Sequence, residues 1–264
     1  MLFGLAPPRM NTCASARLLA GCIASACVIL AVALAPRAGA QDVRVGVRAG
    51  PTFGFLNDSV TPFVSEPNVT EASTNVRIDF HAGAHAVLPL AGPFSVQPEL
   101  LFVRKGAHLS REGPGLYIAE QYQLTYVEAH LLGRRAFRIP GPLSLHAVAG
   151  LSGGRVVAAS VRRDVHSAVR LREEIDLLRD DLVRRWDVGA VLGVALGYPV
   201  GADGRVALEL RYAPGFASVF TSAERPPDDR LDRLPDPPPL TAAPPRLRHD
   251  VITASLVYTL PLDH

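Results

Sequence analysis

The residues of this chain that could carry out chemistry are charged side chains inside otherwise apolar segments. Glu99 lies in the middle of SVQPELLFVRKG, Glu128 in LTYVEAHLL, and Glu209 in VALELRYAP. Such carboxylates can act as general acids or bases if a substrate reaches them, but a buried charge persists only when it is paired. Arginines at similar positions can supply the partners. The whole set comprises Arg44, Arg48, Arg77, Asp79, Glu99, Glu128, Glu209 and Arg211.

Motifs for other kinds of chemistry are missing from the sequence. The glycines of GADG and LSGGR lack the strand-to-helix context of a phosphate-binding loop. His81, His85 and His130 fall on polar faces, where hydrogen-bonded histidines are more common than metal ligands. We therefore predict no catalytic residue, no cofactor and no metal site, and we interpret the charged set as a structural network.

The elements that position these residues are strands, because apolar and polar residues alternate strictly. In VRVGVRAGPTFGF the valines and phenylalanines share one parity, and the arginines and glycines share the other. This period of two is typical of a strand with one apolar and one polar face. Eight strands are predicted, at 43–55, 76–89, 94–106, 121–138, 143–161, 186–200, 205–220 and 249–262.

Short and long connections alternate along the chain. The tight Gly/Pro/Asp turns LAGP, IPGP and VGADGR alternate with long polar connections at 56–75, 107–120, 162–185 and 221–248. An up-and-down meander then places every short turn at one end and every long loop at the other. This asymmetry is typical of outer-membrane barrels. We therefore predict an all-β fold, an eight-stranded antiparallel up-and-down transmembrane β-barrel with short periplasmic turns and long extracellular loops.

The N-terminal 40 residues have the pattern of a cleaved signal peptide. A basic start precedes an apolar run, and small residues at Ala38 and Ala40 mark the cleavage position. This leaves 41–264 as a single barrel domain. All 3 cysteines, and three of the 27 basic residues, lie in the predicted signal, so 24 basic and 25 acidic residues remain. Nearly balanced charge gives no footprint for nucleic acid.

Two of the long connections have a composition of their own. The segment 162–185 places Leu171, Ile175, Leu178 and Leu182 at helical spacing, which predicts an amphipathic helix or a charged loop with helical tendency. The segment 221–248 is rich in proline, so we expect it to be extended and mobile.

The interior of the predicted barrel is polar. An eight-stranded barrel is only wide enough to be filled by side chains, so no open channel is expected. The charged set falls on the inward parity and predicts a lumen network that fixes strand register. Arg104 breaks the lipid-facing parity and marks the outer rim.

The order of the elements resembles the PorT-like family of outer-membrane β-barrel proteins. In that family the third strand carries a Q-P-E-L element ending in K-G, and the fourth carries Y-x-E. Here these are Gln97–Leu100 with Lys105 and Gly106, and Tyr126 with Glu128. The chain departs from the pattern after Glu128, where Ala129 is followed by His130 instead of the usual proline, and at its last residues, PLDH. The resemblance implies a porin-like barrel and assigns no activity.

These observations predict a non-enzymatic outer-membrane barrel with a structural role or a binding role for its loops. Its expected partners are outer-membrane lipid, the barrel-assembly machinery during insertion, and an extracellular protein or ligand. Two alternatives stay open at this point. One is an outer-membrane enzyme acting on lipid or peptide, with Ser110, Ser160 and His108 as weak candidates. The other is a soluble periplasmic ligand-binding β-barrel with its faces reversed.

Overall fold

The computed structural model describes residues 43–57, 71–166, 170–179, 183–216 and 248–262. The predicted signal peptide lies outside the described residues, and so does the proline-rich segment 221–248 apart from Arg248. The described part of the chain consists of strands and their connections, and it holds no helix long and apolar enough to cross a membrane.

Nine strands make up the described fold. Their bounds are β1 Arg44–Asn57, β2 Glu71–Pro89, β3 Phe94–Gly113, β4 Leu116–Phe137, β5 Ser144–His166, β6 Arg170–Asp176, β7 Trp186–Val200, β8 Gly204–Pro214 and β9 Arg248–Pro261.

Eight of these strands form a closed antiparallel barrel. Neighbours in the sheet run β4-β3-β2-β1-β9-β8-β7-β5-β6, and a further β4–β5 pairing closes the ring. Because β6 pairs only with β5, it lies outside the ring. The first strand joins the last through a ladder from Arg44↔Pro261 to Asn57↔Arg248. The predicted eight-stranded barrel is confirmed.

The short turns also occur where the sequence places them. Gly92, Gly141 and Gly201 adopt left-handed backbone conformations, with φ of 64°, 85° and 68°, in the β2–β3, β4–β5 and β7–β8 turns. Glycine reaches this region without the steric cost that a Cβ adds. Each turn therefore reverses the chain within a few residues, and all three lie at the same end of the barrel as Arg44 and Pro261.

Two of the connections predicted to be long are instead β-hairpins. Residues 107–120 continue β3 and β4 as far as the pair Gly113↔Leu116, with Gly115 at a φ of 71° in the turn. The helix considered for 162–185 is wrong, because β5 continues to His166 and pairs with β6 from Ser160↔Asp176 to His166↔Arg170. We call residues 107–124, 157–166 and 170–176 the projecting sheet.

The lengths of the strands show how far this sheet extends. β4 has 22 residues and β8 has 11. At a rise of about 3.3 Å per residue and a tilt of about 40°, they cover roughly 55 Å and roughly 28 Å along the barrel axis. The apolar band of a transmembrane barrel is about 25 Å tall. β8 therefore spans little more than the membrane, whereas β4 continues for roughly 25 Å beyond it.

A small apolar cluster stabilises the base of the projecting sheet. Leu177 and Val183, which belong to the β6–β7 connection, are buried against inward residues of β4 and β5. Their partners are Leu124, Tyr126, Val156, Ala159 and Val161. The backbone N–H of Leu177 also donates to Ala159 O at 3.0 Å. The connection after β6 is thus packed onto the loop end of the barrel.

The outer surface of the barrel carries the apolar faces. Exposed apolar side chains occur on every strand of the ring, including Val47, Ile78, Leu100, Val127, Leu151, Val194, Leu208 and Leu256. Charged side chains lie inside instead, so the faces are those of a membrane barrel and not those of a soluble ligand-binding barrel. The alternative with reversed faces is therefore wrong.

Cations stacked on aromatic rings mark both edges of this apolar surface. At the loop end, the Arg104 guanidinium lies 5.3 Å from the Phe80 ring centroid, and that of Arg155 lies 5.8 Å from the Trp186 ring. At the short-turn end, Arg135 stacks on Phe94 and Phe137. Aromatic residues and arginines are favoured at membrane interfaces, so these pairs delimit the membrane-spanning band.

Candidate functional site

The central site is a cluster of two arginines and two glutamates in the barrel lumen. Arg48 comes from β1, Glu99 from β3, and both Glu209 and Arg211 from β8. Each lies on the inward parity of its strand, and ring closure brings these three strands around one narrow space. Since the period of a strand is two, Glu209 and Arg211 point to the same side.

The four side chains form a closed set of ion pairs, which we call the central cluster. Arg211 contacts Glu99 through two bonds, Nη1 to Oε2 at 2.6 Å and Nη2 to Oε1 at 2.7 Å. Its Nε also donates to Glu209. Arg48 Nη1 lies 3.2 Å from Glu99 Oε1 and 3.1 Å from Glu209 Oε1. Two positive and two negative charges therefore neutralise one another.

The central cluster is sealed from solvent. Arg48 is 2% exposed, Glu99 5%, Glu209 6% and Arg211 3%. Buried guanidinium and carboxylate groups are tolerated only when their hydrogen-bonding capacity is largely used, and the bidentate Arg211–Glu99 pair is the strongest arrangement available. The burial of these groups shows that the middle of the lumen is filled.

Neutral side chains complete the hydrogen bonds around the central cluster. Gln97 Nε2 donates to Glu99 Oε1 at 2.7 Å, and Arg48 Nη2 donates to Ser255 Oγ at 2.5 Å. Ser255 Oγ also lies 2.9 Å from Nε2 of His81, whose Nδ1 is 3.2 Å from Thr52 Oγ1. His81 is thus held by two hydroxyl groups in the lumen.

A second group of charges lies nearer the loop end. Lys105 Nζ is 2.5 Å from Glu128 Oε1 and 3.4 Å from Asp187 Oδ2, and it lies 4.5 Å from the centroid of the Tyr126 ring. His130 Nε2 lies 3.0 Å from Glu128 Oε2, and its Nδ1 lies 3.4 Å from Glu99 Oε2. Through His130 this outer group is joined to the central cluster.

The other predicted lumen residues lie apart from these two groups. Arg77 Nε donates to Asp79 at 2.8 Å, and its Nη2 donates to Gln123 Oε1 at 3.1 Å. Arg44 Nη2 reaches only the carbonyl of Asp203 in the β7–β8 turn, at 3.5 Å. The structure thus brings together Arg48, Glu99, Glu209 and Arg211, joins Glu128 to them, and leaves the other three elsewhere.

Two site residues were missed from the sequence. Lys105 enters the sequence analysis only as the end of the K-G element, although it shares the inward parity of Glu99. Asp187 follows Trp186 at the start of β7 and shares the inward parity of Gly189. Assigning every residue of β3 and β7, up to the strand ends, to the inward or the outward face identifies both.

Glycines make room for the long charged side chains. A Cβ added to Gly193 would come 2.7 Å from Cγ of Arg211, and one added to Gly154 would come 2.8 Å from Cγ of Glu128. Real Cβ atoms do not approach so closely. The aliphatic parts of these two side chains therefore cross the bare backbone of the opposite glycine.

The space left in the lumen is small. A cavity of about 30 Å³ lies between the central cluster and the outer group. A buried water molecule needs about 10–15 Å³ of such space, so the cavity holds about two waters. Its polar lining comes from Arg48, His81, Lys105, Glu128, His130, Asp187 and Arg211. A substrate of ordinary size does not fit.

The chemistry available to this site is limited, because its charged groups already pair with one another. Each carboxylate of the two groups contacts a cation. Among the described residues, no set of three or more His, Cys, Asp or Glu side chains is placed to hold a metal ion. Of the weak hydrolase candidates, His108 and Ser110 share one face of β3, whereas Ser160 lies on β5 with β4 between them.

Comparison with known proteins agrees with this architecture. The family described as outer membrane protein beta-barrel domain matches residues 39–221, which is more than half of the chain. The closed barrel of this protein, with its apolar exterior and its charged, filled interior, is therefore a transmembrane barrel. The chain belongs to the outer membrane protein beta-barrel domain family, and it is a protein of the outer membrane.

Several solved structures are similar over most of their length. The attachment invasion locus protein Ail of Yersinia pestis is 10% identical, with 83% of this chain and 100% of that chain covered at a TM-score of 0.34. Neisserial surface protein A is also 10% identical, covers 83% and 97%, and scores 0.38. The outer membrane protein OprG from Pseudomonas aeruginosa is 9% identical, with 84% of this chain and 98% of that chain covered at a TM-score of 0.42. No curated protein matches.

Proposed function

We propose that this protein is a non-enzymatic, non-conducting outer-membrane barrel whose interior is structural and whose projecting sheet carries a binding role. The observation that supports the closed interior is the central cluster, in which Arg211 and Glu99 pair through two bonds across the lumen. An ion would have to displace these pairs to pass. The cluster therefore acts as a plug that also fixes the register of β1, β3 and β8.

The projecting sheet supports the binding role. It extends roughly 25 Å past the membrane band by the strand lengths given above, and its surface is charged and exposed. Arg172 Nε donates to Asp164 at 2.6 Å, and Arg162 lies 3.6 Å from Glu174. The Asp164 carboxylate raises the pKa of Arg172 above its usual value. A mixed-charge sheet of this kind suits a polar extracellular protein or ligand.

The finer assignments are part of the same proposal. The PorT-like resemblance rests on Gln97–Leu100, Lys105–Gly106 and the Tyr126/Glu128 pair. Residues 1–40 would direct export and be removed, and the barrel-assembly machinery would insert the remainder into outer-membrane lipid. The enzymatic alternative has less support, because Ser160 lies on a different strand from Ser110 and His108 and the cavity in the lumen is too small for a substrate.

Site-specific labelling tests the proposed orientation. Since every cysteine lies in the predicted signal peptide, single cysteines at Pro114 and at Ala91 give clean reporters for the two ends. On intact cells, a membrane-impermeant maleimide is expected to label Pro114→Cys and to label Ala91→Cys only after permeabilisation. Labelling of Ala91→Cys first, or of both equally on intact cells, would rule out an extracellular projecting sheet.

The binding role is tested by removing the β3–β4 part of the projecting sheet without changing the membrane-spanning band. A variant in which a two-residue Asn-Gly turn replaces 108–121 is expected to keep its heat-modifiable gel mobility and to lose binding to host or neighbouring cell surfaces shown by the wild type. A wild type that binds no better than the variant would contradict the binding role and leave a purely structural barrel.

A further inference from the structure

The short-turn end of the lumen carries an unbalanced set of cations. Arg44 on β1, Arg134 on β4 and Arg205 on β8 share the inward parity of their strands, and His85 on β2 and His146 on β5 lie beside them. We call these five residues the mouth cluster. Unlike the central cluster, it has no carboxylate from the described residues within ion-pair distance.

The strand register and the side-chain contacts bring these groups to one place. Arg44 Nη2 points to the carbonyl of Asp203, two residues before Arg205. Cδ of Arg205 lies 3.4 Å from the position of a Cβ on Gly197, and Oγ of Ser144 lies 2.7 Å from the same position. Arg205 thus leans across β7 towards β5, where His146 follows Ser144 by two residues.

Arg134 completes the ring from the other side. Its neighbour on the same face, Ala136, pairs with His146, so Arg134 lies diagonally across from that ring. Arg134 Nη1 donates to Gln97 Oε1 at 3.2 Å, which fixes the guanidinium inside the lumen, on the turn side of Glu99. Electrostatic interactions of Arg134 extend to the carboxylate of Glu209 and to the like charges of Arg205, Arg211 and Arg44.

Donors at the mouth cluster outnumber the acceptors that the protein supplies. Each guanidinium has five N–H donors. The side-chain acceptor for Arg134 is an amide oxygen, and the acceptor for Arg44 is a carbonyl. His146 is only 6% exposed, yet neither of its ring nitrogens has a hydrogen-bond partner, and Nδ1 of the 5% exposed His85 has none either. Buried polar atoms without partners are uncommon, and a bound water molecule or ion is one explanation of them.

From this geometry we infer that the mouth cluster is a phosphate-binding site that opens to the periplasm. Three guanidinium groups at one end of the lumen supply the positive charge and the paired N–H donors that the oxygens of a phosphomonoester or inorganic phosphate accept. His146 can then donate to one of these oxygens. Access is from the turn end, because the central cluster closes the lumen beyond Gln97.

Two sources can supply such a group. Free phosphate can diffuse in from the periplasm. A phospholipid of the inner leaflet whose headgroup is a phosphomonoester can also reach over the rim, where Arg135 stacks on Phe94 and Phe137. The chemistry of the site is the same for both, and the ligands used in the test separate them.

The test uses the full mature barrel refolded in a zwitterionic detergent and labelled with ¹³Cε1-histidine. The His146 resonance is assigned with His146→Asn. Titration with inorganic phosphate is expected to move this resonance along a saturating curve, whereas sodium chloride at equal ionic strength does not. A shift of the His146 resonance that rises linearly with phosphate, or that equals the shift caused by sodium chloride, would overturn the inference.

Matched variants locate the effect. Arg134→Gln and Arg205→Gln are each expected to weaken phosphate binding about tenfold, because each removes a charge-assisted pair of bonds. Arg138→Gln removes an exposed arginine from the β4–β5 turn and is expected to change the affinity less than about twofold. Equal weakening by all three, or no weakening by the first two, would contradict the site. Heat-modifiable mobility verifies that each variant is folded, and Arg205, which is half-exposed, remains testable if Arg134→Gln fails to fold.

Competition with two short-chain lipids shows whether the bound phosphate group comes from a lipid or from free phosphate. Dihexanoyl phosphatidic acid that competes with inorganic phosphate at His146, where dihexanoyl phosphatidylcholine does not, would identify a lipid headgroup. Saturation by inorganic phosphate without competition from either lipid would identify the free ion. Equal displacement by both lipids would show a detergent effect and overturn the inference.

Discussion

Replacing Glu99 by glutamine perturbs the central cluster at its most connected point. Glu99 accepts two bonds from Arg211, one from Gln97, and lies 3.2 Å from Arg48. The amide keeps the shape of the side chain but loses its charge. Arg48 and Arg211 then share the single carboxylate of Glu209, which leaves one buried positive charge uncompensated.

The magnitude follows from the burial of these groups. Breaking a buried ion pair by removing one partner costs about 3–5 kcal/mol, because the other charge stays desolvated. The amide oxygen of glutamine still accepts one bond, which places the loss near about 3 kcal/mol. This corresponds to a fall of roughly 150-fold in the ratio of folded to unfolded protein.

Urea unfolding in lipid vesicles measures this loss. The chain has 1 Trp, and Trp186 stands at the loop-end rim beside Arg155, so its fluorescence reports on the barrel edge without an added label. Arg138→Gln, which removes an exposed arginine from the β4–β5 turn, is the matched control and is expected to change the free energy of unfolding by less than about 0.5 kcal/mol.

A double variant separates the charge imbalance from loss of packing. Glu99→Gln combined with Arg211→Gln restores neutrality, so its cost is expected to be smaller than the sum of the two single costs by about 2 kcal/mol. Strictly additive losses, or a loss below about 1 kcal/mol for Glu99→Gln alone, would refute the proposal that this network stabilises the barrel.

Three further predictions concern the outer group, the glycines and the projecting sheet. Lys105→Met removes the cation shared by Glu128 and Asp187, while Glu128 keeps its contact with His130. The change is expected to cost about 3 kcal/mol in the same urea assay; a cost near zero would mean that the outer group is not held by charge. Gly193→Ala is expected to cost about 1–3 kcal/mol, because the new methyl group meets the Arg211 side chain. The control is Gly133→Ala, whose Cβ would have its nearest neighbour at 3.6 Å; this change is expected to be neutral or stabilising. Leu177→Asp places a charge in the apolar cluster at the base of the projecting sheet; we expect faster protease cleavage there on intact cells with unchanged heat-modifiable mobility, and loss of that mobility would show that the cluster belongs to the barrel proper.

The barrel itself could be predicted from the sequence because lipid and lumen impose opposite preferences on alternate residues. Val47 and Arg48 illustrate the point: the valine is 58% exposed on the outside and the arginine is 2% exposed inside. Tight turns at Gly92, Gly141 and Gly201 then fix the meander. Parity and turn chemistry together were sufficient for the eight strands of the ring.

The projecting sheet could not be predicted, for a reason visible at Leu171 and Ile175. A spacing of four fits one turn of a helix, and it also keeps two residues on the same face of a strand. Without lipid on one side, the charged residues between them no longer alternate clearly. Pairing with β5, a non-local contact, decided between the two structures.

The ion pairs of the lumen depend on barrel closure, which the sequence does not specify in detail. Inward parity placed Glu99 and Arg211 inside, but their partnership depends on the stagger between strands that are distant in sequence. The mouth cluster was overlooked for a related reason. Arg134, His146 and Arg205 lie near strand ends, where parity is difficult to follow without the turn positions.

Ion conductance of the purified barrel in a planar lipid bilayer tests the central claim most directly. With the lumen filled by the central cluster, the wild-type protein is expected to give no discrete conductance steps under an applied voltage, at protein amounts for which a porin control inserts readily. Stable, reproducible single-channel steps from the folded wild-type protein would contradict a closed, structural interior.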